Sequence, residues 1–371
     1  MNNRIVHGSE LQKGVMRVLL TSYACSDDPL GSHYAFMTND CITDVPGIRV
    51  GHAESPEGHT GCTVVLIEHG AIAGVDIGGS APGMRETEML NPTNVVMRIH
   101  AVLLTGGSTF GLNAAGGVQR FLQARDIGFT ASTGVVVPIV PTAVIFDLDV
   151  GKPRIYPDSA MGLAACEAAT ETASPEGPVG VGLGATVGKV FGSDRAMRGG
   201  LGTASVRLVN GATVGALAVC NAWGDVVDSR TSEILAGARH PNGAEEFLNT
   251  ESYILGQSQL SSRYFGMDTT LCVVATDAAL SREQTTKVAV MAQDGIARVI
   301  RPSHTMFDGD VVFALSTLGR PAQAVDVNIV GSVAARLVET AVVRAVCLGN
   351  GLPVPGVLLG ARLPGDPGRA Q

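Results

Sequence analysis

The uncharged run Thr269-Thr270-Leu271-Cys272-Val273-Val274-Ala275-Thr276 reads as a buried β-strand opened by two β-branched residues. The polar segment before it ends in Tyr264-Phe265-Gly266-Met267-Asp268, so a hydroxyl residue directly follows an acid where the strand begins. If the Asp268–Thr269 bond breaks, Thr269 gains a free α-amine beside its own hydroxyl. Such an amine has an unperturbed pKa of about 7.7–8.0, close to what base catalysis favours at neutral pH. Taken alone, the two threonines are no more than a strand opening. The rest of the chain decides between these readings.

The 371 residues allow one large domain or two ordinary ones, with ample core. Forty-seven glycines and only 4% aromatic residues describe dense packing in which small residues let elements approach closely. A net charge of −8 with scattered basic residues argues against a nucleic-acid or anionic-membrane surface. Seven cysteines, an odd number without a Cys-x-x-Cys pair, sit mostly in apolar runs. They read as reduced, small hydrophobes in a reducing compartment, and a cytoplasmic location is expected. Residues 1–37 are expected to form a disordered extension, with Met37 an alternative start. The apolar run Val15–Leu20 is short and broken by Arg17, which argues against a lipoprotein-type signal. Residues 134–146 are the most apolar run, yet too short and too interrupted by Pro138 and Pro141 to span a membrane.

Short β-like runs begin at Ile48-Arg49-Val50 and continue through 62–67 and 71–77, separated by turns. His52, His59 and Cys62 match no familiar zinc spacing and read as a structural or substrate-lining loop. Gly78–Gly83 and Gly106-Gly107-Ser108-Thr109-Phe110-Gly111 lack the ending of a P-loop and the glycine spacing of a dinucleotide fingerprint. Tight turns are their plain reading, although backbone amides in such loops can bind a carboxylate or oxyanion. Helices are expected over 112–125, from the Asp158 N-cap onward, from the Ser281–Gln284 capping box to about Val299, and from Val327 to about Val346. Lys189 is the sole cation in a glycine-alternating strand or turn, residues 178–190. Asn221 ends the buried strand 213–220, where it can donate a hydrogen bond or satisfy a local turn. Residues 229–265 read as a polar surface loop. Asp308-Gly309-Asp310 precedes the strand 311–315 and could orient an ammonium, shuttle a proton, or form an ordinary turn. Residues 351–371 are expected to be a loose tail.

Several segments, in order, resemble one family. They are Asp44-Val45-Pro46-Gly47-Ile48-Arg49-Val50-Gly51-His52, Thr105–Leu112, Ala143-Val144-Ile145-Phe146-Asp147, Gly188-Lys189-Val190, and Thr269-Thr270 through Asp277. Together these are similar to the L-aminopeptidase/D-esterase (DmpA) family, with its β-aminopeptidases and nylon-oligomer hydrolases, over roughly residues 40–350. The resemblance implies an α/β fold, a four-layer α/β/β/α sandwich of the DmpA/ornithine-acetyltransferase type. It also implies one catalytic domain (38–350) that cleaves itself between Asp268 and Thr269 into chains 1–268 and 269–371. It implies homo-oligomers, commonly tetramers, acting on small peptides or amides without a metal or organic cofactor. Residue by residue, it makes Thr269 the nucleophile, with Lys189 and Asn221 assisting it and Asn221 stabilising the oxyanion. It makes Asp308 and Asp310 the carboxylates that orient the nucleophile and its amine.

Gly106, Gly107, Ser108 and Phe146 are expected to line the substrate site. Two positions depart from the family pattern: Phe146 stands where relatives carry a tyrosine, and Asp268 where they often have Asn or Gly. A missing oxyanion donor costs roughly 10²–10³ in turnover. An acyltransferase using the same threonine, and an unprocessed homologue that only binds ligands, are the alternative readings.

Overall fold

The computed structural model describes residues 39–243, 246–260, 268–317 and 325–355. The expected N-terminal extension, Cys25, the approach segment 261–267 and the tail beyond 355 lie outside them. The described residues form an α/β fold around one nine-stranded mixed sheet. Its strands are β1 (Arg49–Ser55), β2 (Thr60–Ile77), β3 (Met84–Arg85), β4 (Ile99–Thr105), β5 (Thr142–Val144), β6 (Gly200–Arg207), β7 (Thr213–Asn221), β8 (Thr269–Thr276) and β9 (Val311–Ser316). They follow the order β6-β7-β8-β9-β2-β4-β5-β3, with β1 paired to β2.

The 18-residue strand β2 ties two strand groups together. Residues 60–66 pair with β1, and 62–66 with β4, whereas 72–77 pair with β9, and the register to β4 shifts between Leu66 and Ala71. Four helices cover the strands: α1 (Ala115–Gln123), α2 (Ser159–Glu167), α3 (Arg282–Val299) and α4 (Val327–Gly349).

Side-chain alternation explains the packing, because successive residues of a strand face opposite ways. Val214, Ala216 and Ala218 of β7, with Cys272 and Val274 of β8, pack against Val288, Ala292 and Ile296 of α3 and Leu337 and Val338 of α4. Leu217 and Val219, Leu271 and Val273, and Phe313 face the opposite way, meeting Val65, Val102 and Leu104 of the other strand group. On that group's far side, Val64, Leu66 and Leu103 meet Val118, Phe121 and Leu122 of α1 and Cys166 of α2. These strands are covered on both faces, which is why they are apolar throughout.

The expected caps are present. Asp158 accepts from the Met161 amide at 2.9 Å, and Ser281 and Gln284 bond reciprocally around the start of α3. Residues 112–125 are not one helix: a helical turn at Ser108–Gly111 and a 3-10 segment at Leu112–Ala114 precede α1. Gly180–Gly184 is a 3-10 helix, leaving only Thr186–Val187 as strand before Lys189. The segment 229–265 is not simply a surface loop. Ile234–Ala236 pairs with Asp225–Val227, Ala236 and Ala238 are buried, and Thr250–Leu255 is helical.

Buried Asp225 organises this segment by accepting from the Ala238 and Thr250 amides and from the Thr250 hydroxyl. That use of a buried carboxylate cannot be read from local polarity. His52 bonds to the Thr63 and Ser174 hydroxyls, and burial lowers its pKa to about 4, so it is a neutral structural residue. The six described cysteines are free and buried. No helix among the described residues is long and apolar enough to cross a membrane.

Candidate active site

Strand register assembles the site. β7 runs antiparallel to β8 with Asn221 opposite Thr269. β9 runs parallel to β8 with Leu271 opposite Val311, and the crossover between them passes through α3. Two parallel strands joined by a helix bring their N-terminal ends to the same edge of the sheet. Asp308 and Asp310 therefore lie at the same sheet edge as Thr269, and Asp268 forms a parallel bridge with Asp308. Asn221, Thr269 and the acidic loop come from three adjacent strand ends.

Thr269 is 5% exposed and its hydroxyl donates to the carbonyl of Asp268. The same carbonyl accepts from the Gly309 amide at 2.7 Å. Gly309 is required by this approach: a β-carbon there would lie 2.9 Å from Thr269 Oγ1 and 2.6 Å from the Ala81 carbonyl.

Lys189 reaches the site from the turn after Thr186–Val187. Gly188 has φ +74°, and a β-carbon on it would sit 2.0 Å from the Ala238 amide nitrogen. The buried Nζ donates to Asn221 Oδ1 at 2.9 Å and to the Asn221 carbonyl at 3.1 Å, and lies 3.0 Å from Asp268 Oδ1. Asn221 Oδ1 also accepts from the Thr186 amide, and its Nδ2 donates to the Phe146 carbonyl at 3.3 Å. Phe146 thus meets the site through its backbone, a contact that does not need the tyrosine hydroxyl.

The two acids are held differently. Asp308 accepts from the Thr305 amide and hydroxyl (2.9 and 2.7 Å) and from the Trp223 amide (3.3 Å). Asp310 Oδ1 accepts from the Thr270 amide at 2.6 Å, while Oδ2 accepts from the His304 backbone and Nδ1 at 3.2 and 2.8 Å. Amides of the Gly78–Ala81 loop cap the carbonyls of both acids. Trp223 stacks on Phe307 with ring centroids 5.0 Å apart, forming an apolar wall beside the polar groups.

Gly106, Gly107 and Ser108 do not join this cluster through hydrogen bonds. Their amides go to Gly61, to Asp147 Oδ1 and to Ile145, so these amides are committed to the fold. Asp147, one residue beyond Phe146, is buried against this turn, and burial raises its pKa to about 6. Sequence reasoning assigned no role to His304, Thr305, Trp223 or Asp147. The string Ser303–Asp310 carries His304 and Thr305 together with the acids, and that was the available signal.

Burial raises Asp268 to about 6, with Lys189 opposing the shift and Asp310 adding to it. Burial, then the adjacent Asp310, raises Asp308 to about 7. Both acids bind protons more tightly folded than unfolded, where an aspartate titrates near about 4. Their contribution to stability is therefore present at low pH and is lost as pH rises through about 6 and about 7. In an uncleaved Thr269→Ala chain, the fall in Tm between pH 5 and pH 8 is expected to be smaller once Asp268→Asn is added. An unchanged pH dependence would contradict the assigned shift.

Residues 40–355 match the model of peptidase family S58. The chain is 44% identical over 297 residues to an uncharacterized aminopeptidase of Mycobacterium leprae, covering 74% of this chain and 78% of that protein. It is 32% identical over 323 residues to a 6-aminohexanoate-oligomer endohydrolase of Kocuria sp., covering 81% and 84%. A Burkholderia sp. beta-aminopeptidase structure superposes with TM-score 0.60 at 24% identity, over 84% of this chain and 87% of that one. The L-aminopeptidase D-Ala-esterase/amidase of Ochrobactrum anthropi, described as a variant of the Ntn-hydrolase fold, gives TM-score 0.60 at 21% identity, over 84% and 88%. These two likenesses show a shared fold. The protein is a hydrolase acting on peptide or amide bonds. The chain belongs to peptidase family S58, the family of the L-aminopeptidase/D-esterase.

Proposed function

We propose that this chain is a self-processing amidohydrolase whose nucleophile is Thr269. The observation that carries the reading is the meeting of strand ends: the Thr269 hydroxyl lies on the Asp268 carbonyl, flanked by Asn221, Lys189 and the Asp308–Asp310 loop. In the precursor, Thr269 Oγ attacks the Asp268 carbonyl carbon, the peptide C–N bond breaks, and the hydroxyl proton ends on the Thr269 nitrogen, which leaves as an amine. Water then cleaves the resulting ester, giving chains 1–268 and 269–371.

In the mature enzyme the freed α-amine takes the Oγ proton as Oγ attacks a substrate amide. It passes that proton to the substrate nitrogen as the C–N bond breaks and the amine departs. Water then hydrolyses the acyl-enzyme ester and restores the Thr269 hydroxyl. Asn221 and nearby backbone amides stabilise the oxyanion. Asp310, bonded to the Thr270 amide, fixes the chain beside the nucleophile, and Asp308 with Lys189 sets the charge around the ammonium. The three buried clusters fit a four-layer α/β/β/α arrangement. Residues 38–350 would act as one catalytic domain, assembled in a homotetramer, on small peptides or amino-acid amides.

The denatured mass spectrum of the purified protein tests this. Two chains are expected, the smaller beginning Thr269-Thr270-Leu271. One intact chain that still hydrolyses amides would overturn the proposal. Hydrolysis without an added acceptor amine separates it from an acyltransferase.

A further inference from the structure

We propose that His304 is a positioning residue of this site: it tethers Asp310 beside Thr269 and supplies the positive charge that balances the Asp308–Asp310 pair. This rests on the reading of Thr269 as the nucleophile.

His304 binds Asp310 twice. Its backbone amide and its Nδ1 both reach Oδ2, at 3.2 and 2.8 Å, which leaves Oδ1 for the Thr270 amide at 2.6 Å. One carboxylate thus links the histidine to the residue after the nucleophile. The double contact depends on an uncommon backbone. His304 has φ +56°, in the left-handed region that is unfavourable for side-chain-bearing residues. That conformation turns amide and ring toward the same oxygen.

The loop after β2 makes room for the ring. A β-carbon on Gly78 would lie 2.7 Å from His304 Nδ1, so glycine is needed there. Helix α3 presents Gln293 to the same place, 3.0 Å from that point.

Charge accounts for a histidine here. Asp268, Asp308 and Asp310 are all buried within this cluster. Lys189 faces Asp268 and Asn221, whereas His304 contacts the other two acids' loop directly. Burial by itself lowers the His304 pKa, but Asp310, then Asp308 and Gln293, raise it to a net value above the ordinary 6.5. When protonated, the His304 imidazolium lets adjacent buried carboxylates carry charge together, which they otherwise resist. The ring lies behind Asp310 and acts through it.

The test uses His304→Asn, which keeps an amide donor on the same carbon but cannot become cationic, with His304→Ala as its partner. Self-cleavage rate and kcat/KM are measured against pH in the full chain. For His304→Asn the acid limb is expected to move about one unit upward, because carboxylates without a neighbouring cation ionise less readily. His304→Ala loses the tether as well and is expected to be about tenfold slower also on the plateau, the cost of one lost hydrogen bond to a charged group. A purely structural histidine would lower rates without moving the limb. Histidine side-chain NMR supplies a readout independent of activity: His304 should titrate above the ordinary value and fall when Asp310→Asn is introduced. An unshifted acid limb in His304→Asn overturns the proposal. So does a His304 titration insensitive to Asp310→Asn, whatever the fate of Thr269. Failure of the wild-type chain to cleave at Thr269 sinks the nucleophile reading, while the NMR titration still decides whether His304 and Asp310 are coupled.

Discussion

Replacing Thr269 by alanine is expected to leave a single uncleaved chain and to lower amide hydrolysis by about 10⁴–10⁶, the range seen when a covalent nucleophile is removed. The fold should survive the change. Thr269 begins β8, where its backbone pairs with Asn221 and its flanking residues carry the core contacts. The substitution removes a hydroxyl that donates to the Asp268 carbonyl, and that carbonyl retains the Gly309 amide. Loss of processing can therefore be read as chemistry, provided the Tm stays close to that of the parent. Thr269→Ser keeps an Oγ in place and is expected to restore cleavage at the same bond. Persistent cleavage and hydrolysis in Thr269→Ala would remove Thr269 from the mechanism.

Lys189→Met should cost stability more than any other single change at the site. The Asp268 side chain is 0% exposed and that of Lys189 4%. Truncation of the cation leaves a carboxylate in a low-dielectric interior and removes a donor from both oxygens of Asn221. Breaking a buried pair by removing one partner costs about 3–5 kcal/mol, which for a domain of this size is a fall of roughly 10 °C in Tm. The measurement belongs in the Thr269→Ala background, where both forms stay as one chain. Adding Asp268→Asn should recover most of the loss, since a neutral amide no longer needs the cation. If Lys189→Met were as stable as its parent, the Lys189–Asp268 pair would not hold the strand ends together. The opposite result, with recovery in the double variant, would give Asp268 a structural part in the precursor beyond supplying the bond to be cut.

Much of the architecture is legible in short windows. The runs 213–220, 269–276 and 311–315 lack charge because both faces of their strands are covered, and they appear as β7, β8 and β9. The caps at Asp158 and Ser281–Gln284 are local hydrogen-bond chemistry, and the helices begin where those caps stand. The misreadings fall where local polarity is a poor guide. Segment 229–265 looks solvated, yet buried Asp225 accepts from the Ala238 and Thr250 amides and draws that part of it onto the fold. The glycine-rich turn at 106–108 looks ready to bind an anion, yet its amides are already engaged.

By itself, then, the sequence determined the central buried strands and the capped helices, the order of family motifs, and the chemistry available at Thr269, Lys189, Asn221, Asp308 and Asp310. The tertiary structure alone decided that these residues meet. Strand pairing across long loops is set by which faces can be buried together, and no local pattern encodes that register. The antiparallel match of Asn221 with Thr269 and the parallel match of β8 with β9 bring three strand ends to one edge. Lys189 meets Asp268 only after Gly188 admits the Ala238 backbone, and His304 meets Asp310 only through a left-handed turn over Gly78. Both contacts depend on close approaches in space, where one added β-carbon would collide and where no regular spacing in the chain announces the partner.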